Sequence, residues 1–206
     1  MKMKTNFISS LLFVCIILVL ASSCNQSKYN KEINSIDVLL SSLDSSQTIL
    51  LSLDTSFANA NWDSIKGKII ILKTYYDSKK DTVERKESFL VSDYYSMRKP
   101  FRTFTSRYNA ALKEIKFCNE QLLALKKDLS NNLMKEELVK KHLLIETSAT
   151  QGVVLDVKKL QKNIELNTLK LKRVQPQIDS LISVIKNIEP VKEKNQKTGS
   201  QEGDEE

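Results

Sequence analysis

Apolar residues recur at alternating steps of three and four along most of this chain. From Ile33 to Phe57, positions 33, 36, 40, 43, 47, 50, 54 and 57 are apolar at six of eight, with Gln47 and Asp54 the exceptions. From Trp62 to Leu90 the same spacing holds at seven of nine, interrupted by Lys79 and Lys86. From Tyr94 to Leu129 all eleven positions are apolar or aromatic, and from Val153 to Ile188 ten of eleven are, with Asn167 the exception. At 41% hydrophobic residues, chance fills four or five positions of eleven. The pattern is therefore the seam of helices packed on helices.

The interruptions place the turns. Residues 56–61 (SFANAN) form a small, polar run, with Asn61 or Asp63 available as a helix cap. Between Leu90 and Tyr94 the spacing counted from Lys86 becomes four, four, three, a slip that locally unwinds a seam. Pro100 predicts a kink or an end near Met97 to Lys99, and Ser130-Asn131-Asn132 an end followed by a new cap. Gly152, after the weak helix formers of 147–151, is read as a C-cap or a local irregularity, and Pro176 as a kink within a continuing helix.

These readings give an all-α fold: an elongated antiparallel helical bundle or coiled coil of three to four long helices. Its segments are expected near 28–57, 62–97, 101–130 and 133–189, with the domain itself spanning 33–189. Second apolar rows, such as Leu39 with Ile49 and Leu53, or Leu155 with Leu166 and Leu169, predict a stripe wide enough for intramolecular bundling. Gln47 and Asn167, lone polar residues on apolar seams, either fix helix register or face solvent. Residues 190–206 hold one aliphatic residue, Val191, and predict a disordered charged tail.

The amino terminus has a different pattern. Lys2 and Lys4 precede a nearly uninterrupted apolar run from Phe7 to Leu20, which then meets Ala21-Ser22-Ser23-Cys24 and turns polar. Fourteen helical residues reach roughly 21 Å, short of a ~30 Å hydrocarbon core, so the run reads as an export signal rather than a span. The small residues before Cys24 resemble the lipobox of bacterial lipoproteins, with Ala21 where Leu is usual and Leu20 one step further back. That resemblance implies a diacylglyceryl group on the Cys24 thiol, cleavage between Ser23 and Cys24, and acylation of the new amino terminus. It divides the chain into a signal peptide at 1–23 and a short tether at 24–32. Asn25 after the cysteine, where enteric lipoproteins kept in the inner membrane carry Asp, implies an outer-membrane position. The absence of an early acidic cluster favours the periplasmic face.

Composition narrows the function. Loss of residues 1–23, with Lys2 and Lys4 and no acid, lowers the net charge from +7 to about +5, suited to anionic lipid or envelope polymer. Four glycines and three prolines argue against a strand-and-turn protein. Of three cysteines, Cys15 lies in the signal and Cys24 is the lipid site, so Cys118 has no intrachain partner and reads as a core residue. A single histidine, His142, and one spare cysteine supply neither a zinc site nor a His-based triad, and no glycine-rich phosphate loop is present. Glu136, Glu137 and Glu146 are interleaved with Lys135, Lys140 and Lys141, as on a solvated, ion-paired helix face. No catalytic residue, metal site or cofactor is expected.

The stretch 93–108 (DYYSMRKPFRTFTSRY) sets Arg98, Lys99, Arg102 and Arg107 against the single acid Asp93. Its Tyr94, Phe101, Phe104 and Tyr108 fall on the seam, which leaves the arginines outward as a solvated rim and Tyr95 unassigned; the alternative is that these cations and Tyr95 engage an anionic ligand. The sequence thus reads as a non-enzymatic, lipid-anchored envelope protein acting as a helical scaffold, spacer or interaction module. The alternative is a lipoprotein that binds an envelope ligand or partner through the 93–108 patch. Its partners would be a membrane, through the anchor, and another envelope protein, not nucleic acid; the helical seams also suit self-association.

Overall fold

The structure, a computed structural model, describes residues 27–78 and 85–198, with side chains to residue 188. All regular secondary structure among them is helical: α1 (Asn30–Leu51), α2 (Thr55–Ser78), α3 (Arg85–Ser96), α4 (Arg98–Ser130) and α5 (Glu136–Thr198). The all-α helical-bundle fold is as the seams predicted. The signal peptide, Ser23 and Cys24 lie outside the described residues, as do 79–84 and 199–206. α5 runs to Thr198, eight residues past the Pro190 at which the sequence places the start of a tail.

Helix boundaries follow local chemistry, in places different from that expected. The first break falls at Ser52–Asp54, not at 56–61, because Asp54 is the cap. Its Oδ1 accepts the Phe57 N–H at 2.9 Å and the Ser56 hydroxyl at 2.6 Å. Those hydrogen bonds hold the Asp54 carboxyl below its ordinary value of 3.8. Asn61 and Asp63 are therefore interior to α2, and the Asn61 side-chain amide donates to the Phe57 carbonyl at 2.8 Å. α3 and α4 meet at a turn on Met97, whose N–H reaches back three residues to Tyr94 O at 3.2 Å. Pro100 then sits in the first turn of α4, where its missing N–H costs no intrahelical bond.

α4 ends in a Schellman motif. The Leu133 N–H donates to Asp128 O at 3.0 Å, the Asn132 N–H to Leu129 O at 3.1 Å, and Asn132 takes the left-handed conformation at φ 53°. α5, by contrast, continues through Gly152 and Pro176. Gly152 has no positive φ and is neither a cap nor an irregularity.

The described residues fall into two compact units. The first comprises residues to Ser45 and 114–154. Its core holds Tyr29 just before α1, Ile36 and Leu43 from α1, Ile115 to Leu129 along α4, and Val139 and Val153 from α5. Its end is clasped before α1 begins: Ser27 Oγ donates to Leu129 O at 2.7 Å, and Tyr29 Oη donates to Met134 O at 2.7 Å. Both helices that start there run antiparallel to α4, which ends there. Residues 27–29 thus belong to the folded body, whereas the sequence assigned them to a tether. Cys118 is buried in this core, and burial, with Glu146 and Glu114 nearby, pushes its thiol up.

The second unit comprises 46–113 and residues from 155 onward. Tyr94, Met97, Phe101 and Phe104 are its most deeply buried large side chains, with Ile65 and Leu72 from α2 and Ile178 from α5. α2 runs antiparallel to α4: Thr105 Oγ1 donates to Asn59 Oδ1 at 2.6 Å, and residues 62–73, further along α2, line a groove with Arg98 and Arg102, further back along α4. Lys68 pairs with Asp179, which sets α2 alongside α5.

The seam from Tyr94 to Leu129, which runs from α3 through α4, is the most faithful of the four, with ten of its eleven positions buried. One expectation fails. Leu155, Leu166 and Leu169 are 55%, 55% and 64% exposed, so that second row does not widen the buried stripe. The stripe through Val153, Val157, Leu160 and Ile164 already fills the face that neighbours cover. On α1 the buried polar residue is Ser46 rather than Gln47, which is half-buried. Asn167 bonds within its own helix, to Asn163 O at 2.8 Å, and makes no register-fixing link.

Candidate functional site

The positions Trp62, Lys66, Ile69, Ile70 and Lys73 are spaced by four, three, one and three, which puts them on one face of α2. In the second unit that face forms one wall of a groove, and Arg98 and Arg102, four apart on α4, form the other. The groove encloses about 420 Å³. Its floor is apolar: Ile69 is buried, Trp62 half-buried, and Ile70 is 57% exposed along it. Four cations line it, two from each wall, and no acid does.

The charge imbalance has a structural cause. Asp93, the only acid of the 93–108 stretch, is drawn toward α5, where it pairs with Lys170 at 3.0 Å and Arg173 at 3.7 Å. Lys68, two residues from Lys66, is turned away into its pair with Asp179. Among the described residues, Lys66, Lys73, Arg98 and Arg102 make no ion pair. Arg98 and Arg102 are also like charges at i, i+4, an arrangement that destabilises a helix by a few tenths of a kcal/mol.

Of the patch residues read from the sequence, the structure brings Arg98 and Arg102 into this groove. Lys99 and Arg107 are exposed but do not line it. Tyr95 is half-buried in an adjoining recess of about 230 Å³, which Lys73 shares. Burial pushes the Tyr95 hydroxyl up, the Asp77 charge adds to this, and Arg98 partly offsets it. Trp62, Lys66 and Lys73 were not singled out by sequence, because they lie some thirty residues upstream on another helix.

A second apolar groove of the same unit, about 520 Å³, is walled by Leu53, Phe57, Phe104, Ile164 and Leu169. Its two acids are already engaged: Asp54 caps α2, and Glu165 accepts the Gln161 amide at 2.9 Å. His142 is exposed, and Glu136 pairs with Lys140 at 2.8 Å, so that stretch of α5 carries the ion-paired face expected of it. Among the described residues, no cluster of three or more His, Cys, Asp or Glu side chains could hold a metal ion. No described helix is long and apolar enough to cross a membrane.

Comparison with protein-family models, with curated proteins and with solved structures finds no match for the chain. What the groove offers chemically is positive charge over an apolar floor.

Proposed function

We propose that this chain is a non-enzymatic, lipid-anchored protein of the bacterial cell envelope that works as a helical interaction module, with the α2–α4 groove as its working surface. The anchor part of the reading rests on the sequence up to Cys24, and the proposed outer-membrane, periplasm-facing position rests on Asn25 and on the absence of an early acidic cluster after it. The binding part rests on one observation: four cations converge on an apolar floor with no acid among the lining residues. A helical protein with only a structural duty gains nothing from that arrangement, which repels itself and leaves apolar surface wet.

The test separates anchor from groove. Cys24→Ala removes the lipid site, and the freed protein is incubated with envelope fractions. Retention is expected to be saturable and to weaken as salt rises, since rim charges act through a screened field. Paired charge reversal, Arg98→Glu with Arg102→Glu, is expected to abolish it, and Arg107→Glu to leave it unchanged. Retention indifferent to the paired reversal would remove the groove from the account.

A further inference from the structure

We infer that the groove takes an amphipathic α-helix of a partner protein, one whose apolar stripe is flanked by acidic residues on both sides. This rests on the reading of the groove as the working surface and names what it accepts.

The arrangement of charge is what selects a helix. Lys66 and Lys73 stand on the α2 wall among Trp62, Ile69 and Ile70, and Arg98 and Arg102 stand on the α4 wall. A single-headed amphiphile brings its negative charge at one end and satisfies the cations nearest that end only. A helix laid along the groove presents two flanks at once, as the e and g positions do beside an a/d seam. The length agrees: Trp62 to Lys73 is eleven residue steps, about 16 Å along α2, which is three turns of a partner helix. The neighbouring geometry agrees too, because α2 and α4 are antiparallel and linked by the Thr105–Asn59 hydrogen bond. Two antiparallel helices with an exposed apolar furrow are what a further helix packs against in a bundle. Ile70, 57% exposed, and half-buried Trp62 are then the knobs that such a helix would cover.

Trp62 is the chain's only tryptophan, so its emission reports on the groove without a label. The probe is a synthetic 14-residue helical peptide with Leu at a and d and Glu at e and g, titrated into the mature protein carrying Cys24→Ala. Controls are the same peptide with Lys at e and g, an alkyl phosphate below its micellar concentration, and inorganic phosphate. The Glu peptide is expected to shift Trp62 emission saturably and the Lys peptide to leave it unchanged. Arg98→Gln with Arg102→Gln is expected to weaken the Glu peptide about tenfold, since each rim pair contributes modestly. Ile70→Asp, on an exposed position that leaves the fold intact by circular dichroism, is expected to abolish the shift. Arg107→Gln serves as the unchanged control.

Equal response to Glu and Lys peptides would overturn the inference, as would an alkyl phosphate that binds more tightly than the Glu peptide and displaces it. A response to inorganic phosphate as tight as to the peptide would do the same, because it would mark a simple anion site. If any of these occurs while envelope retention still depends on Arg98 and Arg102, the groove remains the working surface and only its occupant is wrong.

Discussion

Toward α5, the 93–108 stretch places Asp93 against Lys170 at 3.0 Å and Arg173 at 3.7 Å, while Lys170 also donates to Ser96 Oγ at 2.8 Å. Toward α2, the same stretch places Arg98 and Arg102 across an apolar floor from Lys66 and Lys73, with no acid lining the space. The two sides share one core, built on Tyr94, Met97, Phe101 and Phe104. On the first side, polar groups complete what the core began and folding is the sufficient explanation. On the second, charge of one sign is gathered where the core needs none. Local inconsistency of that kind concentrates at sites kept for something other than stability.

The largest effect expected from testing this contrast is at the shared core. Phe101, 1% exposed, supports both sides, and Phe101→Ala should cost about 3–5 kcal/mol in urea unfolding of the mature chain. A cost near zero would mean that the two sides do not rest on a common core. Tyr94 offers a smaller effect of opposite sign. Its hydroxyl is buried without a hydrogen-bond partner among the described residues, and burial, aided by the Asp179 charge, pushes its pKa above the ordinary value of 10.0. Leaving such a group unpaired costs about 1–3 kcal/mol, so Tyr94→Phe should stabilise the protein by about 1 kcal/mol. Destabilisation of that size instead would show that the hydroxyl serves the side facing α5.

The smallest effects bear on the contrast most directly. Asp93→Asn should lose about 0.5–1 kcal/mol, less at high salt, because Lys170 is only partly exposed and keeps no acidic partner there. Arg98→Gln with Arg102→Gln should change stability by less than about 0.5 kcal/mol, in the stabilising direction at low salt. Thermal unfolding of both variants at two salt concentrations reads the opposite signs. A destabilised arginine variant would mean that the groove cations hold the fold after all.

Much of this was legible in the sequence, to a degree that differed from helix to helix. Along the seam from Tyr94 to Leu129, where every position is apolar or aromatic, periodicity alone found ten buried residues of eleven. The α1–α2 boundary was misplaced because Asp54 occupies a seam position, and a heptad count cannot tell a polar seam residue from a cap. Leu166 and Leu169 looked like core because hydrophobicity marks what can be buried, while neighbours decide what is. For the groove, contiguity made Arg98 and Arg102 visible beside Tyr95, Lys99 and Arg107. It hid Trp62, Lys66 and Lys73, which only the antiparallel register of α2 and α4 brings opposite. The spacing of those three on one face of α2 was the available sign. Two of that face's apolar members, Trp62 and Ile69, had already been counted as seam.

The clasp at Ser27 has a consequence for leash length. Ser27 Oγ is fixed to Leu129 O, and its neighbour Lys28 donates its N–H to Asn132 Oδ1 at 3.3 Å. Cys24 stands three residues from Ser27, so their Cα atoms can be at most about 11 Å apart, which would bound the reach of a lipid on Cys24. The headgroup layer itself is roughly 5–8 Å deep. With such a short leash, the end of the first unit that carries Leu133, 71% exposed, would ride directly on the bilayer surface. Were Cys24 lipidated as proposed, a long reach from the bilayer through the amino terminus would be excluded, and any reach would have to come from the helices themselves.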